Sequence, residues 1–155
     1  FDKQKMFVDR SYMPSLQTMR VAMIRIARQL ALEGKKDKAA ALADRYFEAF
    51  PAFNFQYDQF AALMADIYAR SDAKEKAKAK IREIAEAQVQ TLRFVKSQSP
   101  DFQKGYRQDQ QFALGCAQTM MRTADEMDDK AFSKELEDMF APYFPTGPEA
   151  PGVRN

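Results

Sequence analysis

The sequence has no histidine, no tryptophan and a single cysteine, Cys116, among its 155 residues. Without an imidazole there is no Ser-His-Asp triad, no histidine-bearing zinc site and no side chain that ordinarily titrates near neutral pH. One cysteine allows no internal disulfide and no Cys-x-x-Cys site, and it carries no information about redox compartment. Long hydrophobic runs are missing too. The best candidate, residues 21–32, is broken by Arg25, Arg28 and Gln29, whereas a membrane-spanning helix needs roughly 18 or more apolar residues. Phe1 to Lys5 leads into no hydrophobic segment, so no secretory leader is expected. A chain opening on Phe rather than Met is expected to be a piece of something longer. An excess of one charge is likewise absent, with 24 Lys and Arg against 22 Asp and Glu.

What is present suits a globular domain: 46% hydrophobic and 30% charged residues. Residues 1–13 are polar around a short apolar knot, Met6 to Val8, and read as an extended arm. Pro14 suits a first helical turn. Leu16, Met19, Met23, Ile26, Ala27 and Leu30 then recur at helical spacing up to Gly34, a helix-ending glycine. A second helix is expected from Asp37, read as its N-cap, to Pro51, carrying Ala39, Leu42, Ala43, Tyr46, Phe47 and Phe50. A third covers about residues 57–70. After Ser71 and Asp72, read as a capping pair, the longest covers about 73–98, with a seam of Ala77, Ile81, Ile84, Gln88, Leu92 and Val95. A fifth spans about 106–127, with Phe112, Leu114, Cys116, Met120 and Met121 apolar, and a sixth about 130–140. Residues 142–155, rich in Pro and Gly, read as a frayed tail. No period-two, β-branched run appears. The expectation is an all-α domain over residues 14–141 made of about six helices.

The helices contain a repeat. Leu30 to Ala39 aligns with Tyr68 to Ala77 at an offset of 38, placing Ala27 opposite Ala65 and Ile26 opposite Met64. The first helix pair has Ala27, Leu30, Gly34, Ala39 and Pro51 at the spacing of the tetratricopeptide repeat, which it resembles. Small residues there let two helices approach, glycine takes the cap conformation and proline stops the second helix. The second pair keeps Ala65, Tyr68 and Ala77 but has Asp72 at the glycine position and Val89 at the proline position. The third pair keeps the shape with almost none of the signature. The architecture expected is therefore antiparallel hairpins stacked as a short tetratricopeptide-like superhelix, because a single hairpin cannot bury its apolar face.

A wider resemblance spans roughly residues 6–143. Leu30 to Ala39, then Phe50-Pro51, Tyr57 to Phe60 and Ala65 to Tyr68 together resemble the C-terminal helical region of a bacterial family of polytopic membrane proteins of unknown function. The N-terminal part of that family is similar to protein O-mannosyltransferases of the GT-C type. The resemblance implies a soluble domain of a bacterial inner-membrane protein, facing the periplasm, attached to the membrane only through an upstream segment. No catalytic motif comes with it.

Several clusters are candidate sites. Seven aromatics at residues 46–60 (Tyr46, Phe47, Phe50, Phe53, Phe55, Tyr57 and Phe60) fit either a pocket for an apolar peptide or sugar ring, or a wedge between hairpins. Lys74, Lys76, Lys78, Lys80 and Arg82 fit an anionic-ligand patch, but alternate residues spray around a helix, and a solvated helix start is the simpler reading. Asp125, Glu126, Asp128 and Asp129 lack the oxygen spacing and central glycine of a calcium loop and fit a turn. Cys116 has no histidine to activate it. The expectation is a non-enzymatic interaction or scaffolding module needing no metal and no cofactor. Its partner would be a protein or peptide and not nucleic acid. The alternative is an accessory domain that binds a glycan or acceptor for a glycosyltransferase. The tetratricopeptide resemblance implies a partner groove on the inner faces of the first and third helices, lined by Ile24, Arg28 and Ala31, then Gln59, Ala62, Asp66 and Arg70.

Overall fold

The computed structural model describes residues 3–144, and among them every regular element is helical. Seven α-helices follow in order: α1 (Met13–Leu32), α2 (Lys36–Ala49), α3 (Gln59–Arg70), α4 (Lys74–Lys96), α5 (Pro100–Gly105), α6 (Arg107–Glu126) and α7 (Lys130–Phe140). Short 3-10 turns at Arg10–Tyr12 and Ala141–Tyr143 flank them. None of these helices is long and apolar enough to cross a membrane.

The pairs α1/α2, α3/α4 and α6/α7 form three hairpins. Each first helix packs on its own partner and on the hairpin before it, so α3 touches α1 and α2, and α6 touches α3 and α4. The three turns share one geometry. Gly34, Asp72 and Asp128 have φ of +73°, +60° and +56°, each two residues past one helix and two before the next. Each donates its backbone N–H to the carbonyl three residues back: Ala31, Ala69 and Asp125. Asp is among the few L-residues that tolerate this left-handed region, which is how the second and third turns manage without glycine.

That geometry corrects two expected caps. Asp72 holds the left-handed turn position instead of capping α4, whose N-cap is Ala73 with no side-chain bond. Ser71 is buried, and among the described residues its hydroxyl has no hydrogen-bond partner. Asp37 sits inside the first turn of α2, where it faces the positive end of the helix dipole, and Lys35 is the N-cap.

The seam of α4 is as expected, with Ala77, Ile81, Ile84, Gln88, Leu92 and Val95 all buried. Fully burying each of its larger apolar side chains contributes about 1.5–3 kcal/mol. Ala39, Ala43, Ala65 and Ala77 have no exposure and mark close helix approaches. On α1 the buried positions are Arg20, Ile24 and Ala27, whereas Met19 and Ile26 are about half exposed. Phe112 on α6 is 65% exposed. Helix α5 was not anticipated; Ser99 caps it and Pro100 opens it. At the far end, Tyr143 and Phe144 pack on the core, and Lys96 Nζ donates to the Pro142 carbonyl at 2.9 Å. The expected tail therefore does not begin at Pro142, and its residues 145–155 lie outside the described residues.

Candidate binding cleft

Arg20 lies in the middle of the apolar stripe of α1 and is only 3% exposed. A buried guanidinium needs partners on all its edges. Nε donates to the Tyr46 hydroxyl at 2.8 Å, while the two terminal nitrogens form a fork on the Asp58 carboxylate at 2.8 and 2.6 Å. The rings of Tyr46, Phe50 and Phe60 lie 5.0–5.6 Å from its central carbon. Burial opposes the charge on Arg20, but the hydrogen bonds it donates to Asp58 and Tyr46 and the charge of these partners together outweigh it and raise its pKa above the ordinary value. Burial pushes the Tyr46 hydroxyl up to about 12. Asp58 has a second task, accepting the Phe60 and Ala61 N–H groups as the N-cap of α3.

The aromatic run is mostly a wedge. Tyr46 meets Phe47 and Phe50, Phe50 meets Phe55, and Phe47 bridges to Tyr57 and Tyr68 across the first two hairpins. Phe53 is the exception, about half exposed.

Beside this wedge lies a cleft of about 720 Å³, bounded by Met6 to Val8 of the arm, the N-terminal half of α1, residues 54–60, Gln88 and Thr91 of α4, and Asp109 and Phe112 of α6. Its walls are rich in carboxamides: Gln17, Asn54, Gln56, Gln59 and Gln88. Gln88 donates to the Tyr57 carbonyl at 2.7 Å and so anchors the loop. The Asn54 side chain reads the main chain of the arm, its oxygen accepting the Met6 N–H at 2.7 Å and its nitrogen donating to the Gln4 carbonyl at 2.9 Å. One carboxamide thus does for an extended segment what a neighbouring strand would do. Phe7, between the two paired residues and Val8, points outward at 89% exposure.

The residues expected to line an inner groove do not come together as an open surface. Ile24 is buried in the core, as is Ala62, and Ala31 is half-buried. Arg28 is exposed on α1. Gln59, Asp66 and Arg70 share one face of α3, which α6 meets: Asp66 is buried there, while Gln59 and Arg70 stay exposed at its edge. Gln59 donates to Thr119 at 2.7 Å, Asp66 accepts Thr123 at 3.1 Å and Arg70 Nε at 2.6 Å, and Arg70 reaches on to Glu126 at 2.8 Å. Asp66 has no exposure. Gln59 alone of the set borders the cleft.

The basic run on α4 is distributed among partners. Lys76 pairs with Asp44 on α2, Lys80 with Glu83, Lys78 with Asp129 and Arg82 with Glu135 on α7, while Lys74 donates to the Met127 carbonyl. Of the four acids near the third turn, Asp129 caps α7 through the Phe132 N–H, Glu126 meets Arg70, and Asp128 takes the left-handed turn position. Cys116 is 1% exposed, and burial lifts its thiol to about 12, the Asp58 charge adding to the shift.

Sequence reasoning missed Arg20, Asp58 and Asn54. Arg20 carried a usable signal, a charge at the i+4 position between Leu16 and Ile24, which forces a buried partner. Asp58, one residue before the helical run, carried an N-cap signal. Nothing in the sequence marks Asn54. Comparison of the chain with protein-family models, with curated proteins and with solved structures finds no match.

Proposed function

We propose that the chain is a non-catalytic interaction module, built from tetratricopeptide-like hairpins, that holds an extended polypeptide segment in the cleft between α1, residues 54–60 and α6. The observation that carries this reading is the double hydrogen bond from Asn54 to the main chain of the arm. Pairing with backbone N–H and C=O gives affinity for an extended peptide whatever its side chains, and neighbouring apolar pockets then select among sequences. The cleft offers such pockets at Met13, Phe55 and Phe60, with the amide-rich walls as further donors and acceptors. Within this reading the arm is the resident occupant and competes with a peptide supplied from outside. On the resemblance of sequence, the module belongs to a larger bacterial membrane protein and presents this cleft on the periplasmic side. A sugar platform calls for aromatic rings side by side; the exposed pair Phe102 and Tyr106 instead stack on each other at 4.5 Å, which favours the peptide over the glycan.

The test uses a labelled peptide with the sequence of residues 3–9 and fluorescence anisotropy. Saturable binding to a chain lacking residues 1–9, at least tenfold weaker with the arm present and weakened again by Asn54→Ala, is the expected result. Absence of saturable binding to the shortened chain, with its helical circular dichroism unchanged, would overturn the reading.

A further inference from the structure

We infer that the uncovered face of α1 is a docking surface for an acidic amphipathic helix of a partner polypeptide, received in the register in which each hairpin receives the one before it. The argument rests on equivalent positions in the three hairpins, set by the left-handed turn residues Gly34, Asp72 and Asp128. Ile26, Met64 and Met120 each lie eight residues before their turn. Met64 and Met120 have no exposure at all, whereas Ile26 is 54% exposed. Gln29, Ile67 and Thr123 are equivalent in the same way; Ile67 is fully buried and Thr123 is 1% exposed, but Gln29 is exposed. Met19, at 55% exposure, corresponds to the half-buried Tyr57 and to the buried Ala113. On α3 and α6 the equivalent helix positions are buried, and each of these helices packs on the hairpin before it; on α1 the same stripe faces outward. A shallow groove of about 720 Å³ runs along it, bounded by Val21, Ala22, Arg25, Ile26 and Phe60.

Charge selects the occupant. From Met13 to Leu32, α1 contains no acidic residue, and Arg25 and Arg28 are exposed. Among the described residues neither forms an ion pair. Glu33, just past the helix end, is already held by Lys35 and Gln29. A helix with an apolar stripe for Met19, Ala22 and Ile26 and with carboxylates beside it meets both features. A second copy fits poorly. Two α1 faces brought together would oppose their own arginines, and the outer residues of the last hairpin, Gln118, Arg122, Lys134 and Glu137, are exposed and polar. The inference does not depend on the peptide cleft.

The probe is a designed 18-residue helix with leucines at i, i+4, i+7 and i+11 and glutamates flanking them, compared with the same peptide bearing lysines. Anisotropy titration of the full chain should show saturable binding of the glutamate peptide only. Ile26→Glu should weaken it at least tenfold without moving the melting temperature, because that side chain is solvent-facing. Arg25→Glu should weaken the glutamate peptide and confer binding of the lysine peptide. No saturable binding, or binding indifferent to both substitutions, overturns the inference. So does a dimer seen by light scattering, or flotation with phosphatidylglycerol vesicles, if Ile26→Glu abolishes either one, since the face would then belong to a second copy or a lipid surface.

Discussion

Arg20 ties the first hairpin to the start of the second, so its removal is the most informative single perturbation. Arg20→Met keeps the apolar stem and deletes three hydrogen bonds, one to Tyr46 and two to Asp58. Removing one partner of a fully buried pair costs about 3–5 kcal/mol. Here Asp58 is 42% exposed in its side chain and keeps its bonds to the α3 amides, so water recovers part of that loss. The Tyr46 hydroxyl is different, because the residue is 1% exposed and leaving it unpaired costs about 1–3 kcal/mol. Losing the guanidinium over three rings adds about 0.5–2 kcal/mol. The expected total is about 2–4 kcal/mol, or a fall in melting temperature of roughly 5–12 °C for a chain of this size.

Urea denaturation with circular dichroism reads the free energy, and two further variants separate its parts. Tyr46→Phe alone should cost about 0.5–1.5 kcal/mol. Combined with Arg20→Met it should cost clearly less than the sum, because methionine then faces a ring with no orphaned hydroxyl. Strict additivity, or an Arg20→Met chain as stable as the parent, would refute the argument. The second outcome would mean that the desolvation of Arg20 cancels everything its partners return.

Ala39 on α2 has no exposure within the core, so Ala39→Leu should destabilise by about 1–3 kcal/mol through overpacking, measured in the same denaturation assay. Asp72→Gly relieves a positive φ and should stabilise the second turn by up to about 1 kcal/mol, less the small loss of its exposed pairing with Lys36. Cys116, with its thiol raised to about 12, should resist a thiol reagent at pH 8 in the folded chain and react at once in urea. Asp44 and Glu135 are held below their ordinary values of 3.8 and 4.5. At Asp44 burial opposes the shift, but Lys76 and Tyr68 outweigh it; at Glu135 the Arg82 fork is the leading cause. A depressed carboxylate stabilises the fold above its unfolded pKa and loses that contribution as pH falls through the folded one. The melting temperature should therefore drop below about pH 4.5, and Asp44→Asn with Glu135→Gln should flatten that drop.

Much of the fold was legible because most of its helices are covered on the face their periodicity advertises. The α4 seam, spaced four, three, four, four and three, is buried residue by residue. The third turn reads from its run of acids, but its kinship with Gly34 does not, because Asp128 supplies the same backbone conformation with a different side chain. Helix α5 is six residues long, too short for any periodicity to show. The cap positions Asp37, Ser71 and Asp72 were misplaced by one or two residues, within the range where a polar side chain fits either a cap or a turn.

Two positions of the α1 stripe, Met19 and Ile26, depart from expectation for a physical reason that bears on function. Periodicity reports which side chains are apolar; it does not report whether a neighbour exists to cover them. On α3 and α6 the two coincide, because each has a hairpin before it. Of the stripe read on α1, Leu16, Met23, Ala27 and Leu30 pack on the core with Arg20 and Ile24, whereas Met19 and Ile26 at its edge are open. The expected inner groove failed for the converse reason. Gln59, Asp66 and Arg70 are polar enough to suggest an open surface, but α6 brings Thr119, Thr123 and Glu126 to engage them, and Asp66 is buried because its matching partners satisfy it. A helix face therefore reads as a binding surface only after its equivalents along the stack have been compared. By that comparison α1, apolar and cationic where α3 and α6 are covered, is the face to test, and Asp66 is a fastening between the second and third hairpins. Asp66→Ala should therefore loosen α3 from α6 and lower the melting temperature, whereas Ile26→Glu should leave it where it is.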